Sequence, residues 1–271
     1  MRPTGTPQLK VMFLGERKIA WRALSLMRQP VWAQVFDLRV VVTTPDLFLR
    51  LQPLTGEANP VFMNNCDRNK EALLELIKSE SIDLIFSVQH RWVLSGEMIA
   101  AVGGLAFNLH NARLPDYKGY HSISHAIIRG EASYDSTVHW MAEEVDCGDV
   151  AYCETTTIEP QDTAVSLYGK TVKAALRVFE RTLKALADGE HIPRLPLMGK
   201  GRFFGRHELE PYFDVTNVAD PVELDRRIRG LFFPPYNTAQ IRTLSGIVAL
   251  VPQETLPGLT LGWSGTNQLD N

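Results

Sequence analysis

The chain has 271 residues, 45% of them hydrophobic and 22% charged, enough to bury a full core in one large domain or one domain with an appendage. Its net charge of −3 and pI near 6.2 argue against a nucleic-acid partner held by a large basic surface, because that mode of binding works by neutralising phosphates. Cys66, Cys147 and Cys153 form no CxxC pair and are odd in number, so neither a disulfide framework nor a metal site is expected. The polar start MRPTGTPQLK, and the lack of any run of about 18 apolar residues, predict no signal peptide and no membrane span, hence a cytoplasmic protein.

Leu9 to Leu14 (LKVMFL) is a short apolar run ending at Gly15, and Arg17 to Met27 carries apolar residues at helical spacing, which predicts a buried strand feeding a helix. Leu38 to Thr43 (LRVVVT) is β-branched and bounded by ThrProAsp. Asn69 to Ser79 is helical in composition and leads into Ile82 to Val88 (IDLIFSV), another buried strand. Strands alternating with helices imply an α/β fold, a Rossmann-like, mostly parallel sheet with helices on both faces.

A helix around Gly96 to Val102 precedes Leu105 to His110 (LAFNLH), which is apolar except at its end. Ligands of open α/β sheets bind beyond the carboxyl ends of the strands, so Asn108 and His110 fall where chemistry is expected, with the turn-rich loop NARLPDYKGY over the same edge. Ser136 to Ala142 (STVHWMA) and Val150 to Ile158 read as a hairpin with Asp146 at its tip. A long helix runs from Thr163 to about Ala187, with Asp162 or Thr163 as N-cap and Gly189 as its stop. This helix closes a first domain, residues 1–190. The remainder, 191–271, reads as a small α+β appendage with a helix over Pro221 to Leu231, a β-hairpin in AQIRTLSGIVALV and a disordered end, SGTNQLDN.

Asn108 and His110 are two apart on a strand, so their side chains project to one face of the sheet and can act on one atom. A neutral imidazole beside an amide supplies a proton acceptor and a hydrogen-bond donor, which acyl transfer requires. Asp146, on a separate loop, is placed to orient the imidazole or complete a proton relay. Taken alone, an Asn-x-His pair at a strand end is more often structural.

The longer string PheAsnLeuHisAsnAlaArgLeuProAspTyrLysGly (Phe107 to Gly119), followed by Val145-Asp146-Cys147-Gly148, resembles the folate-dependent formyltransferase family. That family includes the glycinamide ribonucleotide, methionyl-tRNA and sugar N-formyltransferases. The resemblance covers about the first two thirds of the chain. One departure is Lys118, where the family commonly has Arg, which keeps the charge and removes bidentate geometry. The resemblance implies transfer of a formyl group from N10-formyltetrahydrofolate to an amine, without a metal: Asn108 stabilises the oxyanion, His110 assists proton transfer, and Asp146 positions His110 or relays a proton. It leaves open which group takes the amine proton.

By the same resemblance the folate's pterin is expected between the SVQHRWV loop, with Gln89, His90, Trp92 and Val93, and the loop from Ala142 to Asp146, with Glu143. Trp92 reads equally as a core aromatic and His90 as an exposed loop residue. GlnHisArgTrp at 89–92, the string LeuHisAsnAlaArgLeuProAspTyrLysGlyTyrHisSer that starts at Leu109, and PhePheProProTyr at 232–236 resemble the enzymes that act on nucleotide-linked 4-amino-4,6-dideoxysugars. GDP-perosamine and dTDP-4-amino-4,6-dideoxyglucose are then the natural acceptors, destined for O-antigen or similar surface glycans, and a homodimer is the expected assembly. Arg17 and Lys18 are candidates for the substrate diphosphate; Tyr120, His121 and Ser124 for the sugar; Tyr236 for the base or ribose; and Lys118 is a further substrate-binding candidate. Each also has a plain reading, as a solvated helix start, a helix-start residue or a packed aromatic. Arg226, Arg227 and Arg229 read as a solvated helix face, and the His121/His125 pair as core or capping residues. The competing functions are methionyl-tRNA formylation and non-catalytic binding of folate or nucleotide sugar.

Overall fold

A computed structural model describes residues 7–55, 60–65 and 69–255. The C-terminal SGTNQLDN and Cys66 lie outside the described residues. The chain forms two compact units that interleave along the sequence: residues 1–118, 135–155 and 171–202 make the first, and 119–134, 156–170 and 203–271 the second.

The first unit is built on β1 (Leu9–Gly15), α1 (Arg17–Met27), β2 (Phe36–Thr43), α2 (Pro45–Thr55), β3 (Val61–Asn64), α3 (Lys70–Ser79), β4 (Leu84–Val88), α4 (Gly96–Ala101) and β5 (Ala106–His110). After β6 (Lys118–Gly119) and α5 (Ser122–Arg129) come β7 (Ser133–Trp140), β8 (Val150–Thr157) and the long α6 (Ala164–Asp188). The seven-stranded sheet has the order β3-β2-β1-β4-β5-β7-β8, parallel as far as β5 and antiparallel between β5 and β7. Chain order runs outward from β1 to β3 on one side and from β4 to β5 on the other, so β1 and β4 flank a topological switch point, where such sheets hold their ligands.

The central strands are almost continuously apolar because both of their faces are covered. Met12, Leu14, Val40, Val42 and Ile85 lie in one cluster with Leu73 and Ile77 of α3 and Met98 of α4. Each such side chain contributes about 1.5–3 kcal/mol when fully buried. Helix α1 packs Ile19, Ala20, Ala23, Leu24 and Met27 inward, the spacing that predicted it. Gly15 permits the tight turn into α1, since a Cβ there would sit 2.6 Å from Ala20 Cβ. The Asn69 side chain caps α3 by accepting from Ala72 N at 3.0 Å. In the layer around β2, both α2 and β3 were unforeseen. The ThrProAsp that bounds β2 also starts α2, with Pro45 at the first helical position, where its missing N–H costs nothing; β3 is a four-residue edge strand.

The second unit holds α5 and, after β9 (Phe203–Phe204), α7 (Pro221–Leu231) with the hairpin β10 (Gln240–Thr243) and β11 (Gly246–Ala249). Its core joins Ile128, Leu209, Val215, Leu231 and Ala239. His125 is buried there and stacks on Phe204 with ring centroids 4.1 Å apart, which bears out its reading as a core residue. No helix among the described residues is long and apolar enough to cross a membrane.

Candidate active site

Strand register brings the polar residues together. In the antiparallel β5–β7 pair Asn108 stands opposite His139, and in the parallel β4–β5 pair it stands beside Ser87. The loop after β7 returns Asp146 to the same point. Its Oδ1 lies 3.4 Å from Asn108 Nδ2, 3.6 Å from His110 Nδ1 and 3.7 Å from His139 Nε2. Asn108, His110 and Asp146, the residues singled out from sequence, thus converge on one carboxylate oxygen, and His139 joins them.

The hydrogen bonds fix the neutral tautomers. His110 Nε2 lies 3.1 Å from the Tyr117 carbonyl, to which it can only donate, so its lone pair sits on Nδ1, facing Asp146. His139 Nδ1 lies 2.8 Å from the Trp140 carbonyl and donates in the same way, which leaves Nε2 as an acceptor for Asn108 Nδ2 at 3.0 Å. With acceptors on both sides, the amide of Asn108 presents its NH2 group, not its oxygen, to this cluster. One N–H is held firmly by His139 and the other loosely by Asp146. The site therefore combines a base facing a carboxylate with a donor that an incoming oxyanion can take over.

The backbone around Asp146 is closely specified. Asp146 adopts a left-handed conformation, φ 54°, and is buried. Two residues on, a Cβ at Gly148 would lie 1.8 Å from the Trp140 carbonyl oxygen, so only glycine lets the loop close this tightly. Lys118 is also buried and donates from Nζ to Cys147 Sγ at 3.0 Å, which puts it beside the Asp146 loop.

The loop after β4 begins with Gln89 in the left-handed region, φ 48°. His90 Nδ1 accepts from Trp92 N at 3.2 Å, which places the proton of the neutral ring on Nε2. Burial pushes the His90 pKa down to about 4; Glu16 opposes the shift and Arg91 adds to it. His90 Nε2 and Gln89 Oε1 are both buried with no hydrogen-bond partner among the described residues, a donor and an acceptor that fit a polar ligand. Trp92 belongs to the core cluster and donates from Nε1 to the Asn65 carbonyl at 2.8 Å. Its core reading is the one the structure carries. Val93 is exposed, and the Glu143 carboxylate reaches the start of α4, 3.4 Å from where a Gly96 Cβ would be.

Arg17 and Lys18 are exposed at the carboxyl end of β1, with Arg17 at φ 67°. Tyr120, His121, Ser124 and Tyr236 lie in the second unit. There Tyr120 is half-exposed beneath the Arg206 guanidinium, His121 precedes α5 in the left-handed region without a side-chain cap, Ser124 is buried, and Tyr236 is exposed near Phe233. Sequence reasoning missed His139 and Glu16. The signals were present: a histidine inside the apolar strand STVHWMA, and an acid at the carboxyl end of the first strand.

Residues 22–183 match the family model described as formyl transferase. The chain belongs to that family and is a folate-dependent formyl-transfer enzyme. The GDP-perosamine N-formyltransferase of Brucella melitensis biotype 1 is 30% identical to it over 188 residues, 68% of this chain and 70% of the relative. The GDP-perosamine N-formyltransferase of Brucella abortus matches to the same extent, 30% over 188 residues. Among solved structures, a 4-N formyltransferase from Francisella tularensis superposes with a TM-score of 0.73 at 17% identity, covering 92% of this chain and 99% of that one. An N-formyltransferase from Helicobacter canadensis, in complex with folinic acid and dTDP-3-aminofucose, gives 0.67 at 18% identity, covering 88% and 85%. These structural likenesses speak for the fold.

Proposed function

We propose that this enzyme moves a formyl group from N10-formyltetrahydrofolate to the amino group of a nucleotide-linked 4-amino-4,6-dideoxysugar, with GDP-perosamine and dTDP-4-amino-4,6-dideoxyglucose as the acceptors of first choice. The observation that carries the chemistry is the convergence of Asn108, His110 and His139 on Asp146 Oδ1. The sugar acceptor is supported by the two Brucella relatives, both GDP-perosamine N-formyltransferases.

The amine nitrogen attacks the formyl carbon, and the carbonyl oxygen, now an oxyanion, takes the Asn108 N–H that Asp146 holds loosely. The amine proton passes to the His110 Nδ1 lone pair, and Asp146 stabilises the resulting imidazolium. As the intermediate collapses, the C–N10 bond breaks and the departing folate nitrogen takes that proton back. Gln89, His90, Trp92, Val93, Glu143 and Asp146 serve the co-substrate; Arg17 and Lys18 serve the acceptor diphosphate, Tyr120, His121 and Ser124 its sugar and Tyr236 its base or ribose, with Lys118 a further acceptor-binding residue. Residues 191–271 provide acceptor-side or oligomer contacts. Product would enter surface-glycan synthesis from the cytoplasm. The homodimer expected from the resemblance is part of this proposal; exposed Leu244, Ile247 and Val248 on the β10–β11 hairpin offer an apolar contact that supports it.

The test is formyl transfer followed by product mass, with dTDP- and GDP-linked 4-amino sugars and formylatable tRNA as acceptors. Gain of one formyl group on one nucleotide sugar is the expected result. Transfer to tRNA alone would overturn the acceptor, and no transfer to any of them would leave a binding protein.

A further inference from the structure

The acid at the end of β1 has no part in the chemistry above, yet it is the best-connected carboxylate at the switch point. Glu16 is buried, its side chain 5% exposed. Its Oε1 accepts from Asn65 Nδ2 at 2.7 Å and from Arg91 Nε at 2.9 Å; its Oε2 accepts from Arg91 Nε at 3.1 Å and Nη2 at 2.7 Å. Asn65 is itself tied in, its N–H on the Thr43 carbonyl at 3.0 Å and its own carbonyl accepting the Trp92 indole N–H at 2.8 Å. One carboxylate thus fastens the end of β1 to the segment after β3, and both to the loop after β4, through Arg91 directly and through Asn65 to Trp92.

Stability alone does not account for such a group. A buried ion pair is often no more stabilising than apolar residues of the same volume, whereas it fixes geometry. Here the fixed geometry is that of residues 89–92. Trp92 N–H on His90 Nδ1 sets the proton on Nε2, and Gln89 turns in the left-handed region, so the loop holds a buried donor and a buried acceptor with no match among the described residues. Unmatched buried polar atoms are costly and call for a ligand with a complementary acceptor and donor, such as the edge of a fused heterocycle.

We propose that Glu16 is a positioning residue for the folate co-substrate: clamped on Arg91 and Asn65, it holds the 89–92 loop so that Gln89 Oε1 and His90 Nε2–H meet the bound ring. The proposal rests on the folate-dependent reading of the site. The Glu16 carboxylate is buried and taken up by Asn65 and Arg91, so its loss acts on folate binding through the 89–92 loop and leaves the later chemistry alone.

Steady-state kinetics of Glu16→Gln and Arg91→Lys separate the possibilities. Both variants raise KM for N10-formyltetrahydrofolate, Glu16→Gln by roughly 10-fold as expected for one lost charged contact, while kcat and the acceptor KM stay within about twofold. Long-range 1H–15N spectra of the ligand-free protein should show His90 protonated at Nε2 in the parent and averaged between tautomers in Glu16→Gln. A folded Glu16→Gln enzyme with the parent folate KM and the parent His90 spectrum overturns the clamp. If Glu16→Gln does not fold, Arg91→Lys decides in the same way, because the Arg91 side chain is half-exposed and its replacement spares the core. A parent protein that neither binds nor uses the folate overturns the functional reading, a result visible without any variant.

Discussion

His110 Nδ1 and Asp146 Oδ1 face each other across 3.6 Å, just beyond hydrogen-bond reach, with a lone pair on each side of the gap. In the proposed mechanism the amine proton arrives at Nδ1 and so enters the gap between the ring and the carboxylate oxygen. On the proposed mechanism His110→Ala removes the base, Asn108→Ala the oxyanion donor, and Asp146→Asn the stabilising charge. Each should lower kcat by about 100-fold or more with the fold intact. Single-turnover rates measured beside thermal melts check this, and near-parental turnover in a folded His110→Ala variant would sink the mechanism.

His139 acts through its neighbour. It pairs with Asn108 across the strands and accepts its N–H at 3.0 Å, which holds the amide the right way round. His139→Ala should lower kcat by roughly 10-fold, the cost of a lost hydrogen bond to an orienting group. The more telling measurement is the Asn108→Ala/His139→Ala double variant. It should be no slower than Asn108→Ala alone; additive losses would give His139 an independent role.

The candidate site was legible where its residues follow local pattern and opaque where they depend on strand pairing. Asn108 and His110 announce themselves as polar residues ending an apolar strand, and α1, α7 and the hairpin follow from apolar spacing and turn residues. His139 carries no such mark, because its meaning depends on which strand lies beside β5. That neighbour is the antiparallel β7, and register cannot be read from a single strand. Glu16 was passed over for a similar reason: its partners, Asn65 and Arg91, are 49 and 75 residues away. Trp92 shows the converse, a motif residue whose side chain is engaged in the core. A single cut after the long helix could not show that the compact units interleave, with residues 119–134 and 156–170 grouped with the C-terminal segment, because that grouping depends on pairings distant in sequence.

His90 gives the protein a predictable pH response. Its folded pKa is held near 4 against an ordinary 6.5, chiefly by burial. Between those values the unfolded chain binds a proton that the folded chain refuses, so stability falls as pH drops through the window from 6.5 to 4. The contribution reaches about 3 kcal/mol at the acid end. Urea titrations at neutral pH and near the acid limit should show that His90→Gln loses about 3 kcal/mol less than the parent between the two conditions. Equal losses would place the His90 titration elsewhere.

Two glycines on helix and loop predict opposite outcomes from the same substitution. At Gly148 a new Cβ meets the Trp140 carbonyl oxygen at 1.8 Å and its carbon at 2.8 Å, backbone atoms that cannot rotate aside. The 141–148 loop must shift, carrying Asp146 with it, so Gly148→Ala should cost about 3 kcal/mol of stability and most of the activity, as overpacking against a fixed wall does. Gly169 lies exposed inside α6 with nothing within 4 Å of the added Cβ. There the only effect is the smaller backbone entropy of the unfolded chain, and Gly169→Ala should add about 1 kcal/mol without changing kcat. Melting both variants beside the parent, with kcat measured on each, distinguishes a loop closed to side chains from a helix that merely tolerates glycine; a Gly148→Ala protein as stable and active as the parent would show that the Asp146 loop has slack the contacts deny.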